Sequence, residues 1–304
     1  MSIAVSLIGL FSGFAHSIYS AFSKALLKNR IGEPFLLFLY ISVIQALVTP
    51  LLWIFVRPQF PPPAGLTPLL ISCVTCVAAY LFFYRALHCG DVSSVMPIMG
   101  SKVIFAGLLA IPMLHEKHNL QVYIAAVLVA ISIAILTYSP SKGGSSRFPL
   151  KPIILMTLCS VIFGFTDIYI KRSLLYLDSY NFMVYYNFVV GMLSLCVIPY
   201  IVKKRVSLLL RGTDLQLSFC SAVSLVTATL LFVVLFKMCS GVVIPNILMS
   251  TRGIFIVLIS AVLTHGGSTV LETQSRKVYM LRLAASILII ISVWIALSRF
   301  PASL

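Results

Sequence analysis

Apolar runs of about twenty residues, separated by short polar or Pro/Gly-rich breaks, recur along the whole chain. Ten can be marked, at 3–25, 34–56, 67–87, 92–113, 119–139, 152–174, 181–202, 214–236, 242–264 and 277–298. A helix needs about 20 such residues to cross the hydrocarbon layer, so each run predicts one membrane span. The breaks carry turn chemistry, as in "RPQFPPPAG", "HCGD" and "HEKHN". The longest of them, "SPSKGGSSRFP" at 139–149, divides the spans into five and five. The start, "MSIAVSLIGLFSGFAHSIYS", has no basic leading segment and reads as a retained first span, not a cleaved signal. Within it "GLFSG" (9–13) sets two small residues four apart, a face suited to close helix packing.

Composition narrows the function classes. The chain is 60% hydrophobic and 10% charged, with a mean hydropathy of +1.08. A soluble domain carries roughly 25% charged residues, and no polar stretch here is long enough to form one outside the membrane. A net charge of +15 would suggest nucleic acid in a soluble protein. Here most Lys and Arg lie in short loops, where they set orientation and meet anionic lipid, so no nucleic-acid partner is expected. They concentrate in the connections after odd-numbered spans, which by the positive-inside rule puts both termini outside the cytoplasm.

The two halves align with each other. "GSKVIF" (100–105) matches "STRGIF" (250–255) at an offset of 150, setting Lys102 opposite Arg252. "SGFAH" (12–16) matches "FGFTD" (163–167), setting His16 opposite Asp167, and "EKHNLQVY" (116–123) matches "ETQSRKVY" (272–279) after an insertion, "THGGST". An odd number of spans per half turns the second copy over in the membrane. The expected fold is therefore all-α and integral to the membrane: ten transmembrane helices as two inverted five-helix repeats around a central cavity. Residues 1–139 form the first repeat, 140–149 the linker and 150–304 the second repeat.

The stretch "ALHCGDVSSVMPIMGSKVIFAGLLAIPMLHEKHNLQVYIAAVLVAISIAIL", with its small-residue fourth and fifth spans and the acidic turn at Glu116, resembles the EamA-like branch of the drug/metabolite transporter superfamily. The resemblance covers almost the whole chain. It implies a transporter, with the fourth and ninth spans lining the cavity, and leaves the substrate open among amino acids, drugs, sugars and nucleotide conjugates. This chain departs from the pattern by its insertion before Glu272 and by cations in both cavity spans. Many relatives are drawn with both termini inside, against the loop count.

Lys102 and Arg252 stand in the middle of their runs, where a charge costs at least ~2.5–3.5 kcal/mol unless it is hydrated or paired. Such residues mark a pathway or form a structural ion pair. Both readings stay open, and Lys102→Met spares folding only if the lysine is hydrated. Two cations facing one cavity suit an anionic or zwitterionic substrate; arginine adds a fork for a carboxylate or phosphate. Asp167 is the acidic residue set well inside a predicted span. It could counter one of those cations, hold a substrate amino group or carry a proton, or it could pair with Lys171 four residues on. His16 titrates near physiological pH when unperturbed but is also a common hydrogen-bonded packing residue. Tyr80 and Tyr84, one turn apart, stack on substrate or simply pack.

The remaining motifs add no chemistry. Cys73 and Cys76 read as small packing residues on one helix face. In "LHEKH" the histidines are three apart, not the four a zincin needs, and no G-x-S-x-G elbow is present. No enzyme activity, metal or cofactor is expected. The sequence thus predicts a secondary transporter of a small anionic or zwitterionic metabolite in the cell (inner) membrane. Its partners would be that small molecule and the lipid bilayer, with a homodimer left open. The alternatives are a non-transporting scaffold and a lipid-modifying membrane enzyme.

Overall fold

Prolines start the second and third helices. Pro34 and Pro63 stand in the first turns of α2 (Pro34–Ile54) and α3 (Pro63–Cys89), where a missing N–H costs no helical bond. α1 (Ile3–Leu26) ends in a π turn closed by Gly32, whose φ of +64° lies in the left-handed region that only glycine enters freely. The computed structural model describes residues 3–90, 95–96, 98–116, 120–137, 150–210, 212–265 and 276–297, and these contain helices and turns but no strand. The further helices are α4 (Lys102–Leu114), α5 (Leu120–Thr137), α6 (Leu150–Ser173), α7 (Ser179–Lys203), α8 (Thr213–Met238), α9 (Val243–Met249), α10 (Arg252–His265) and α11 (Arg276–Leu297). Seven helical stretches among the described residues are long and apolar enough to cross a membrane: α1, α2, α3, α6, α7, α8 and Val243–Leu263. The linker at 140–149 and most of the insertion before Glu272 lie outside the described residues.

Two expected spans differ from a plain helix. The ninth run breaks at Ser250–Thr251, between α9 and α10. In the fourth, Met99–Ser101 form a 3-10 turn ahead of α4. Lys102 and Arg252 therefore each open a helix rather than sit within one. Gly100, Ser101, Ser250 and Thr251 are weak helix formers. In the second half, the Ser250 and Thr251 hydroxyls donate to the carbonyls of Ile247 (2.6 Å) and Leu248 (2.7 Å), satisfying groups that lipid could not.

Packing follows the small residues. On α1, Ser12, Ser17, Ser20 and Ser23 are buried while Leu7, Phe11 and Phe14 are exposed, the reverse of a soluble amphipathic helix. Ser12 donates to the Ala228 carbonyl (2.8 Å) and Ser17 to that of Arg252 (2.9 Å), while Ser224 of α8 donates to Ala15 (2.9 Å). Gly9 and Gly13 lie where a Cβ would come within 2.8 Å of Leu248 and 2.6 Å of the Thr251 hydroxyl, so α1 rests directly on the α9–α10 break. The main pairings are α1 on α8, α3 on α6, α1 on α10, α4 on α6, α2 on α7 and α5 on α11.

Asp178 caps α7, accepting from the backbone N–H groups of Tyr180 (2.9 Å) and Asn181 (3.0 Å) and from the Asn181 side chain (2.6 Å). Asn181 in turn accepts from Trp53 and Gln59, tying the α2–α3 connection to this cap. Burial pushes the Asp178 carboxyl up, but the bonds from Asn181 and Tyr180 outweigh it and hold the group below the usual carboxylate range. Asp178→Ala should cost about 0.5–2 kcal/mol near neutral pH. Because the folded value is depressed, that stability is present above the ordinary aspartate value and is lost as pH falls through the folded one. Thermal unfolding of wild type and variant should therefore converge on acidification.

Candidate functional site

Residues of α1, α3, α6 and α8, the turn before α4, the α9–α10 junction and one side chain of α7 surround a cavity of about 50 Å³. That volume has room for a water or two. Of the residues selected from sequence, His16, Tyr80, Lys102, Asp167 and Arg252 line it, and Tyr84 does not. Tyr84 accepts a hydrogen bond from the Tyr19 hydroxyl (2.6 Å) and packs between Phe38 and Phe83. Four residues of helix turn the side chain about 40° further, while Tyr80 meets Phe163 at 5.2 Å.

The Lys102 ammonium lies 2.9 Å from Asp167 Oδ2 and 4.5 Å over the ring of Phe232. The Asn246 amide donates to the same oxygen (2.7 Å) and to the Val242 carbonyl (2.9 Å). The pairing of Asp167 with Lys171 does not form. Lys171, near the end of α6, donates to Phe236 and Cys239 carbonyls (both 2.6 Å), the unsatisfied end of α8. Asp167 points inward, where Lys102 is the nearer cation. Lys102, Asp167 and Asn246 are all buried, so this is a desolvated, hydrogen-bonded ion pair joining α4, α6 and α9.

Arg252 is placed differently. It is 3% exposed, and its Nε has no hydrogen-bond partner. Among the described residues no carboxylate is paired with it; Asp167 pairs with Lys102 instead. Its backbone is fixed by Ser17 and by the close approach of Gly13. A buried guanidinium without a counter-ion is costly unless something else supplies the negative charge. His16, also in the cavity wall, donates from Nδ1 to the Ser12 carbonyl (3.1 Å).

Asn246 and Phe232 are neighbours of the Lys102–Asp167 pair that sequence reasoning passed over. Asn246 had a signal, being an amide inside the apolar "VVIPNILMS". Glu116, in the acidic turn, accepts from the Val242 backbone N–H (3.0 Å) and so holds the start of α9. The sulfur of Cys73 lies 3.7 Å from the Tyr186 carbonyl, a packing contact between α3 and α7. No three His, Cys, Asp or Glu side chains among the described residues converge as a metal centre requires.

Gly164, one turn before Asp167, sets the approach of α6 to α4. A Cβ there would lie 3.0 Å from the Ala106 nitrogen and 3.2 Å from Phe105 Cβ. Gly164→Ala should therefore destabilise by about 1–3 kcal/mol through overpacking against backbone. Gly107→Ala, whose Cβ would meet only Val243 at 3.5 Å, should cost nothing in the same unfolding measurement.

A solved protein crystal structure superposes on the chain with a TM-score of 0.67, over 96% of this chain and 98% of that one, at 16% identity. At that identity the likeness is one of fold. No curated protein gives a significant sequence match. The sequence model of the EamA-like transporter family matches residues 3–138. With seven apolar helices of spanning length, the match makes this a multi-pass integral membrane protein of transporter type. Over those residues, which make up its first half, the chain is similar to the EamA-like transporter family, part of the drug/metabolite transporter superfamily.

Proposed function

We propose that the protein is a secondary transporter that carries a small anionic or zwitterionic metabolite by alternating access through the central cavity. The observation that carries this reading is the asymmetry of the two cations: Lys102 is neutralised by Asp167, and Arg252, buried in the same cavity wall, has no paired carboxylate among the described residues and an unpartnered Nε. A carboxylate or phosphate on the substrate would complete the Arg252 site, and a substrate amino group would be met by Asp167. Binding pockets for metabolites run to about 300–1,000 Å³, far above the 50 Å³ here. The cavity is thus nearly closed on its charges, and substrate entry requires helices to move. The breaks before Lys102 and Arg252 are natural places for that movement, as in transporters with discontinuous helices.

The inverted duplication is part of the same proposal. Its support is that the packing pairs exchange when the halves are exchanged: α3–α6 becomes α8–α1, and α4–α6 becomes the contact of α10 with α1. A second reading, a scaffold without transport, is favoured by the direct pairing of Lys102 with Asp167 and the Asn246 amide bond to the same carboxylate. Uptake into proteoliposomes of a panel of anionic, zwitterionic and cationic solutes separates the two. Accumulation of anionic or zwitterionic solutes is expected. Uptake of cations alone, or of nothing, would overturn the transporter reading.

A further inference from the structure

A second cavity, of about 330 Å³, opens where several helices end on one face of the bundle. Its wall is drawn from four places: Gly32–Pro34 ahead of α2, the last turn of α3, the first turn of α6, and Lys204 just beyond α7. Arg85, Lys151 and Lys204 bring three permanent cations and His88 an imidazole, against the single carboxylate of Glu33. One oxygen of that carboxylate is engaged, since the Lys204 ammonium donates to Glu33 Oε2 at 2.8 Å, while Oε1 is buried without a partner. Arg85 is held in place by its stacking over Phe35 (5.8 Å), which leaves its N–H donors at the edge of the guanidinium for a ligand.

The backbone adds to the same field. Pro34 and Lys151 both line the cavity, so the N-terminal ends of α2 and α6, the positive ends of two long helix dipoles, open onto it. Glu33 holds the Lys204 ammonium above the ordinary lysine value, so that cation stays charged. Two cations in excess of carboxylate, two helix N-termini and a guanidinium fork are the features that bind tetrahedral oxyanions. The location is the face whose loops carry most of the Lys and Arg, where anionic headgroups and soluble phosphate compounds are both at hand.

We propose that this cavity is a binding site for a phosphate group, presented by a lipid headgroup or by a soluble phosphate compound. It is separate from the central cavity, shares no lining residue with it, and stands whether or not Arg252 binds substrate. The test measures unfolding temperature in two arms: inorganic phosphate titrated at constant ionic strength, and phosphatidylcholine nanodiscs with increasing phosphatidic acid. A saturable rise in wild type is expected in at least one arm, and which arm responds identifies the source. Arg85→Gln combined with Lys151→Gln should raise the midpoint concentration about tenfold or more, the equivalent of one charged contact. Glu33→Gln, which removes the opposing carboxylate and frees Lys204, should lower it. Lys203→Gln removes a neighbouring charge that does not line the cavity and should leave it unchanged. Lys151→Gln alone, at an exposed position, keeps the test intact if the double variant does not fold. The proposal fails if neither arm stabilises wild type, if the cavity variants bind as wild type does, or if Lys203→Gln weakens binding as much as they do.

Discussion

Lys102→Met is expected to cost about 3–5 kcal/mol of stability, the usual result of breaking a buried ion pair from one side. It would strand the Asp167 carboxylate, 2% exposed, with only the Asn246 amide as a partner. Loss of monodisperse protein or a large fall in unfolding temperature is the readout. Asp167→Leu in the same chain should restore most of the loss, because replacing both members of such a pair with apolar groups is often neutral. The double-mutant cycle then gives the coupling between α4 and α6 directly. A Lys102→Met protein as stable as wild type would mean that the lysine is hydrated and not held by Asp167.

Arg252→Met should behave in the opposite way. It removes a buried charge that has no counter-ion among the described residues, so the unfolding temperature should hold or rise. Uptake of an anionic or zwitterionic substrate should fall about ten- to a hundredfold, since one charged hydrogen bond is worth about 1.5–3 kcal/mol. Arg252→Lys keeps the charge but loses the planar fork, and should recover little of that uptake. If Arg252→Met lowers stability and leaves uptake intact, the guanidinium is a structural element and the proposed binding role is wrong. Stability gained with function lost is what distinguishes a binding group from a packing group.

The helical character and the cavity-lining positions of His16, Asp167, Lys102 and Arg252 could be read from the chain, because apolar run length and an intramembrane charge are strong local signals. The breaks before Lys102 and Arg252 could not. The runs "VMPIMGSKVIFAG" and "VVIPNILMSTRGIF" remain apolar on average on both sides of their charges, and hydropathy does not register the change from α to 3-10 geometry. Asp167 shows the limit of local rules. Its spacing to Lys171 suits a helical ion pair, yet α6 turns the acid inward and sends the lysine to the end of α8. Which of two nearby cations an acid takes depends on packing that a single sequence does not display. Tyr84 was separated from Tyr80 by the same rotation of the helix.

The hydroxyl face of α1 bears on how that helix can travel. Its polar contacts with α8 and α10 are made by serine oxygens and close glycine backbone, beside one ring contact, Phe14 on Phe255. Displacement along such a face would exchange one hydroxyl–carbonyl bond for another of the same kind. Friction against sliding is low by composition, while lateral separation still exposes polar groups and is resisted. The serine face of α1 is thus held more firmly across its axis than along it.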